Sequence, residues 1–496
     1  MPMDSVPPPP IALTGPYATE VSPTLVQQAE SIRRGELSSR ELTRMYLERI
    51  EALDGRDTLN AYILSRGDEV LAQAATLDEL QACGKMLGPL HGIPLAIKDN
   101  LFTAGTATSN GTSVLRDFVP RHDATVVRHL RTAGALVLGK TGMHECAFGI
   151  TSDNPHFGAV RNPYDPSRIP GGSSGGSGAA VAARLCSAAV GTDTGGSVRI
   201  PAALCGVAGI KPTLGRAGRG RSFGLAWSCD VPGPIARTVE DAAVLLRVMS
   251  AGPDKHDPAA VSGPDIGDDP VQLRGLRIGV PQGYFAEDNA PDVDGVLAQT
   301  HKLLEQAGAI LVPVTVNDVE KAIPAGFLTV LPEFVVQLAE ALRTAGIEGG
   351  IAGHLDEFGP DVRAALASQV GPEPQIVPGF AYAEAVGRTI PAVRRGFADA
   401  LADVDVLLTP TTPATAAPIA EAVTMQHNGR PLDTFATFIR YTFAVSVSGL
   451  PAVSAPAGVD SSGLPVGVQF IGPAWSEGRL IGVARAYESL RWSASR

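Results

Sequence analysis

Residues 170–197, PGGSSGGSGAAVAARLCSAAVGTDTGGS, constrain this chain more than any other stretch. Two glycine-flanked serine clusters stand at the ends of one helix–strand unit. Ser173 and Ser174 lie just before an Ala-rich helix expected over 179–185, while Gly195, Gly196 and Ser197 follow a short buried strand over 188–192. A helix rises about 1.5 Å per residue and a strand about 3.3 Å, so the outgoing helix and the returning strand have comparable lengths. The second cluster therefore lands beside the first. Two hydroxyls, an open helix N-terminus and a backbone without Cβ atoms in the way are what an acyl-transfer site needs. A flexible linker is the plainer reading of such a composition. A linker, however, is not embedded between a strand-rich region and an Ala-rich helix, nor answered by a second Gly-Gly-Ser.

The 496 residues, 44% of them hydrophobic, suffice to bury a large core. Charged residues make up 18%, and 55 Gly with 40 Pro describe a compact, loop-rich enzyme rather than a disordered or fibrous chain. Acidic residues outnumber basic ones 51 to 40 with no Lys/Arg run, which argues against nucleic acid or anionic lipid as partner. The five cysteines (Cys83, Cys146, Cys186, Cys205, Cys229) are scattered and never in CxxC spacing. They give neither a metal knuckle nor a disulfide framework, so a reducing compartment is expected. The Pro-rich first twenty residues read as a loose tail, lacking the basic and apolar regions of a secretory signal. No uninterrupted apolar run approaches membrane-spanning length. The expectation is a cytoplasmic protein, off the membrane, with no metal or organic cofactor and a homodimer as the default assembly.

Ser38 and Glu41 form a capping box that opens a helix with Leu42, Met45, Tyr46 and Ile50 on one face. From Gly92 onward strands and helices alternate: a strand over 93–97, a helix over 122–132, a strand over 135–138, then the serine unit. Such alternation predicts an α/β fold, a mostly parallel sheet covered by helices. Residues 253–270, dense in Asp, Pro and Gly, read as a surface loop; 276–281 restart a strand and 292–307 a helix. Residues 320–400 read as a helical cap over the sheet. A hairpin over 451–471 turns at Asp460-Ser461-Ser462-Gly463, and a closing helix starts at Glu477. No internal repeat is present, and residues 21–496 read as a single domain.

Gly134 to Thr141 match the P-loop expression letter for letter, but the positions between the glycines spell a β-strand, Ala-Leu-Val-Leu, where a phosphate loop needs flexible turns. Nucleotide binding is rejected on that context. A serine nucleophile needs a base, yet none of the nine histidines lies in a motif-like setting near either cluster, and no GxSxG elbow occurs. Lysine serves if buried, because desolvation lowers its pKa from about 10.4 toward neutrality. Lys98 follows the apolar run Ile93-Pro94-Leu95-Ala96-Ile97, at the strand end where open α/β sheets gather ligands. A surface lysine is the commoner fate of that residue type. Lys140 and Lys211 are similarly placed, and position alone does not separate the three.

The run GGSSGGSGAAVAA…GTDTGGSVRIPAALCGVAGIKPT resembles the amidase signature family. PLAIKDN, LVLGKTGMHECAFG and GLPAVSAPAG…GLPVGVQFIG extend the resemblance over most of residues 25–490. It implies the amidase signature fold, a large mixed twisted sheet with helices on both faces. It also implies a triad of lysine, a serine in a cis peptide and a serine nucleophile, falling on Lys98, Ser173 and Ser197. The resemblance, not the spacing, chooses Lys98 over its rivals and Ser173 over Ser174. It further implies an oxyanion hole of N–H groups from Thr194, Gly195, Gly196 and Ser197. Ser174, Asp193 and Arg199 become supporting residues, with a structural ion pair as probable as any chemical role for the last two. Residues 147–150 match a stretch lining the acyl pocket in relatives, which makes Ala147, Gly149 and Ile150 candidate substrate contacts.

On this resemblance the chain is an amidohydrolase that cleaves a small aryl or hydrophobic amide to acid plus ammonia or amine. The cap aromatics (Phe327, Phe334, Phe380, Tyr382, Phe435, Phe438, Tyr441, Phe443) and Leu328 are the pool from which an apolar pocket would be drawn, at least half being ordinary core. Three alternatives stand beside this reading. One is a carbamate or ester hydrolase with the same triad. The second is the glutaminase component of a tRNA-dependent amidotransferase, which needs a second polypeptide as partner plus a site for the charged ends of glutamine, with Arg440 as a candidate. The third is an inactive scaffold protein.

Overall fold

Apolar five- and six-residue runs rich in Ala, Val, Leu and Ile alternate with amphipathic helices, and the computed structural model assembles them around one extended sheet. It describes residues 23–268 and 270–494; the tail expected over 1–20 lies outside the described residues. The strands are β1 (Tyr62–Ser65), β2 (Pro94–Lys98), β3 (Leu136–Thr141), β4 (Ala188–Asp193), β5 (Ala208–Lys211), β6 (Val231–Ala236), β7 (Arg277–Pro281), β8 (Ile310–Val314), β9 (Val406–Pro410), β10 (Thr424–His427), β11 (Arg430–Asp433), β12 (Ala452–Val459) and β13 (Pro465–Ile471). Eleven of them form a sheet in the order β1-β3-β2-β4-β6-β5-β12-β13-β9-β7-β8, and β10 pairs with β11 alone. β2 runs parallel to β3 and β4, and β7 parallel to β8 and β9. The central pairs from β4 through β13 to β9 are antiparallel. The sheet is therefore mixed rather than mostly parallel.

Side chains alternate across a strand, and here they feed two separate cores. Val406 and Leu408 of β9 enter one core, with Val190, Leu246 and Tyr487; Leu407 between them enters the other, with Phe334, Phe397 and Phe438. Helices therefore cover both faces.

The capping box at Ser38 opens the helix Ser39–Leu53, with Glu41 N–H donating to Ser38 Oγ at 3.0 Å and Ser38 N–H to Glu41 Oε2 at 2.9 Å. That helix buries Leu42, Tyr46 and Ile50 but leaves Met45 59% exposed. At 100° per residue Met45 falls on the edge of the stripe that the other three centre. The region read as a cap holds the helices Ala322–Thr344, Gly350–Gly353, Pro360–Val370, Gly379–Glu384 and Ile390–Leu401. Residues Val319–Thr344 are long and apolar enough, by length and composition, to cross a membrane. Here Phe334, Leu338 and Leu342 of that helix are buried in the second core.

Candidate active site

The serine unit is built as a helix Gly175–Ala182, a turn, and β4. The helix starts four residues earlier than its Ala-rich segment suggests. Glycine is a poor helix former, but a side chain at Gly176 would strike Ala61 O and the Gly142 backbone, so close packing against the end of β3 selects glycine there. The helix N-terminus is also not open. Gly175 N–H donates to Ser152 Oγ at 3.1 Å and Gly176 N–H to Gly142 O at 2.9 Å. The first-turn donors anchor the loop instead of facing a ligand.

Lys98 ends β2, between β3 and β4, with its amine fully buried. Its Nζ lies 2.7 Å from Ser173 Oγ and 2.8 Å from Thr192 Oγ1. Burial pushes this amine down to about 7; the negative charges of Asp230 and Asp193 act in the opposite direction. Lys140 and Lys211 are equally buried and each is lowered to about 8 by desolvation. Their contacts differ. Lys140 donates to Leu101 O and Thr108 Oγ1 with Asp99 at 3.6 Å, and Lys211 donates to Leu450 O at 2.8 Å. Only the first of the three lysines touches a serine of the glycine-rich loop.

The Gly172–Ser173 peptide is cis. Ser173 O accepts from His144 N–H at 3.1 Å, and Ser152 Oγ–H donates to Gly171 O at 3.0 Å, fixing the loop from below. Ser174 Oγ donates to Thr192 O at 3.2 Å and accepts from Thr192 N–H at 3.3 Å, so it stitches the loop to β4. Ser174 N–H donates to Ser197 O at 3.3 Å, which brings the two serine clusters together. Among the described residues no hydrogen bond links Ser173 Oγ to Ser197 Oγ.

Asp193 and Arg199 are fully buried and meet through two hydrogen bonds of 3.0 Å. Burial alone would raise Asp193, but the charge and hydrogen bonds of Arg199, with Lys211, hold its carboxyl below the usual carboxylate range. Arg199 also donates to Gln469 Oε1, Thr442 O and Ser446 Oγ, pinning the loop to β13 and to the helix Thr434–Ser448. Gly196 sits at φ +134°, and a side chain there would strike Thr442 Oγ1. Its N–H donates to Asp193 Oδ1 at 2.9 Å. Of the four donors expected, Gly196 N–H makes this contact in the structure, while the N–H groups of Thr194, Gly195 and Ser197 have no acceptor among the described residues.

Ser197, 5% exposed, opens on an apolar cavity of about 40 Å³. Ala147, Gly149 and Ile150 line it, as do Phe327, Phe435 and Phe443 from the aromatic pool. Phe438 and Tyr441 are core, Phe380 is 79% exposed, and Tyr382 hydrogen-bonds Glu333. Phe148, Leu225, Val330 and Ile439, with Thr194 and Gly195 of the nucleophile loop, complete the lining. Phe148, Gly149, Ile150, Phe327 and Phe435 also face an outer vestibule of about 690 Å³ that carries His144, Asp153, Asp361 and Asp433. No Lys or Arg lines either cavity among the described residues. Arg440 turns away, its guanidinium 4.6 Å from the Tyr284 ring and 3.8 Å from Glu287. Sequence reading missed Thr192, Ser152 and His144. Only Thr192, inside the serine unit, carried a signal.

A family model described as Amidase matches residues 41–481. The A subunit of the glutamyl-tRNA(Gln) amidotransferase from Pseudomonas syringae pv. syringae (strain B728a) is 41% identical, over 94% of this chain and 97% of its own length. The peptide amidase of Stenotrophomonas maltophilia superposes with a TM-score of 0.80 at 35% identity, covering 96% of this chain and 97% of that one. The A subunit of the glutamyl-tRNA(Gln) amidotransferase from Thermotoga maritima superposes at 0.72 with 31% identity, covering 94% of each. A buried lysine, a glycine-bound pair of serines and likeness along nearly the whole chain lead to one conclusion: this chain is an amidohydrolase belonging to the amidase signature family.

Proposed function

We propose that this chain hydrolyses a small aryl or hydrophobic carboxylic amide to acid plus ammonia or amine, with Ser197 as nucleophile and Ser173 and Lys98 as its proton relay. The observation that carries the substrate class is the wall around Ser197, apolar apart from Thr194, with no charged side chain among its lining residues. An amine held near pKa 7 is about half unprotonated at neutral pH, and its free-base form accepts the Ser173 proton across 2.7 Å. Ser173 then takes the proton of Ser197, a contact that closes as substrate binds, as catalytic hydrogen bonds commonly do. Ser197 Oγ attacks the amide carbon, and the N–H groups of Gly195 and Ser197, with Thr194 beside them, receive the oxyanion. Ser173 returns the proton to the leaving nitrogen as the C–N bond breaks. Water attacks the acyl-enzyme by the same relay and releases the acid.

A second reading, the glutaminase component of a glutamyl-tRNA amidotransferase, is favoured by whole-chain likeness, since curated relatives of that kind reach 38–41% identity. Overall identity reports scaffold and relay; the pocket wall decides the substrate. Glutamine brings a carboxylate and an ammonium, and the vestibule offers carboxylates but no cation to receive the former. The fold is also nearer to the peptide amidase than to the Thermotoga protein. Incubating the purified chain alone with glutamine and a panel of anilide, primary amide, ester and urethane substrates tests the proposal. Turnover of apolar amides, with the acyl group trapped on Ser197 by mass spectrometry, is expected. Glutamine hydrolysis in preference to every apolar amide overturns it, and preferred urethane or ester cleavage moves the reading to that alternative.

A further inference from the structure

We propose that Asp230 is a positioning residue that ties the oxyanion loop, the acyl-pocket wall and the electrostatic field at Lys98 to one buried carboxylate. This rests on the relay reading above. Asp230 leads into β6 and is 7% exposed. Thr194 Oγ–H donates to its Oδ1 at 2.6 Å, while the N–H groups of Leu225 and Ala226 donate to Oδ2 at 2.7 and 3.0 Å. Thr194 belongs to the loop that receives the oxyanion, and Leu225 is a wall of the Ser197 cavity. One carboxylate therefore sets the distance between the two.

Asp230 also reaches the base. It shares a cavity of about 10 Å³ with Asn100, Thr192 and Thr194, and Thr192 Oγ1 is the second contact of Lys98 Nζ. Asn100, whose Oδ1 is buried with no partner, donates to the same Thr192 Oγ1 at 3.1 Å, so one hydroxyl joins the amine to the cavity that Asp230 lines. Charged groups facing this region are Asp193 with Arg199 from the nucleophile loop, Arg219 from the loop before Leu225, and Glu333 from the cap. Burial raises the Asp230 carboxyl while Thr194, Arg219 and the N–H groups of Leu225 and Ala226 favour its charged form; in that form it is one of the two anions that favour protonated Lys98.

The rate at which a fluorophosphonate ester labels Ser197, followed from pH 5 to 9, tests this without knowledge of the substrate. Wild type is expected to show an acid limb near neutrality that Lys98→Ala abolishes. Asp230→Asn should move that limb to lower pH by about 0.5–1 unit and slow labelling at the plateau about 10–100-fold. Thr194→Val should slow the plateau with the limb unmoved, and Thr194→Val combined with Asp230→Asn should be no slower than Asp230→Asn alone. Asp230→Glu should return the limb toward wild type while the plateau stays slow. A purely structural role would lower the plateau and leave the limb in place; that result in D230N overturns the proposal. If D230N fails to fold, T194V decides: labelling at the wild-type rate overturns it, a loss of tenfold or more sustains it. Unlabelled wild type, or a limb that survives K98A, defeats the relay reading and this inference together, whereas a normal K98A result with an unmoved D230N limb defeats this inference alone.

Discussion

Lys98, Lys140 and Lys211 all end buried, and desolvation lowers all three amines. What separates them is the acceptor each meets. Lys140 meets the Leu101 carbonyl, the Thr103 and Thr108 hydroxyls and Asp99, and Lys211 meets backbone carbonyls, whereas Lys98 meets Thr192 and a serine of the glycine-rich loop, with no carboxylate in contact. If Lys98 is the base, kcat/KM for an amide rises with pH through about 7 as the amine loses its proton. Lys98→Ala should cost about 10²–10⁴-fold in kcat and flatten that limb, read in a pH 5–9 rate profile. Phe327 supplies the second residue-scale prediction, because it faces both the inner cavity and the vestibule. Phe327→Ala should raise the ratio of kcat/KM for a bulky over a short acyl group by about tenfold or more; an unchanged ratio removes it as a size filter. Position alone left the three strand-end lysines alike; the motif resemblance singled out Lys98 with Ser173, and in the fold those two meet at 2.7 Å, whereas the placement of Phe327 had no such motif to mark it. Asp230, 33 positions beyond Ser197, had no local pattern to mark it.

Elements were more legible than their ends. The strand–helix alternation before the serine unit, the hairpin and the closing helix all follow from apolar periodicity, and tertiary contacts moved their boundaries. β3 runs on to Thr141 because Gly139, Lys140 and Thr141 pair with β1 and β2. What the chain did not reveal is how the cap attaches. Glu145, fully buried, accepts Gly359 N–H and the His156 ring, each at 2.7 Å; beside it His144 Nε2 pairs with Asp361 at 2.7 Å. Two neighbouring residues thus latch the start of the helix Pro360–Val370 to the vestibule rim and, through His144 N–H, to Ser173 O. Glu145→Ala leaves Gly359 N–H buried without an acceptor, a loss of about 1–3 kcal/mol. Hydrogen exchange should quicken over residues 357–364 while β2–β4 stay protected. Uniform quickening across the sheet would show Glu145 acting on the whole core rather than on the latch.

The molecule as a whole carries ionisable groups in its core with opposite pH dependences. Burial raises Glu488 to about 8 and Asp54 to about 6, so their neutral forms persist in the folded state after the unfolded chain has ionised. The unfolded state binds fewer protons there, and stability falls as pH rises from about 4.5 toward 8. The three lysines act the other way. Folded, they lose their protons near 7–8 while the unfolded chain keeps them to about 10.5, so stability rises above neutrality. The urea midpoint should therefore pass through a minimum between about pH 7 and 8 and recover by pH 9, before buried thiols and phenols enter. Glu488 acts on the acid side, held in the closing helix against Val239 N–H at 3.2 Å. Glu488→Gln keeps an oxygen for that donor and has no charge to lose. A tenfold change in proton affinity is worth about 1.4 kcal/mol. The variant should therefore match wild type near pH 5 and exceed it by about 1–3 kcal/mol at pH 8, with the falling limb flattened. Urea titrations at pH 5 and pH 8 decide it: equal differences at both would mean that Glu488 ionises alike in the folded and unfolded chain, and that the minimum has another origin.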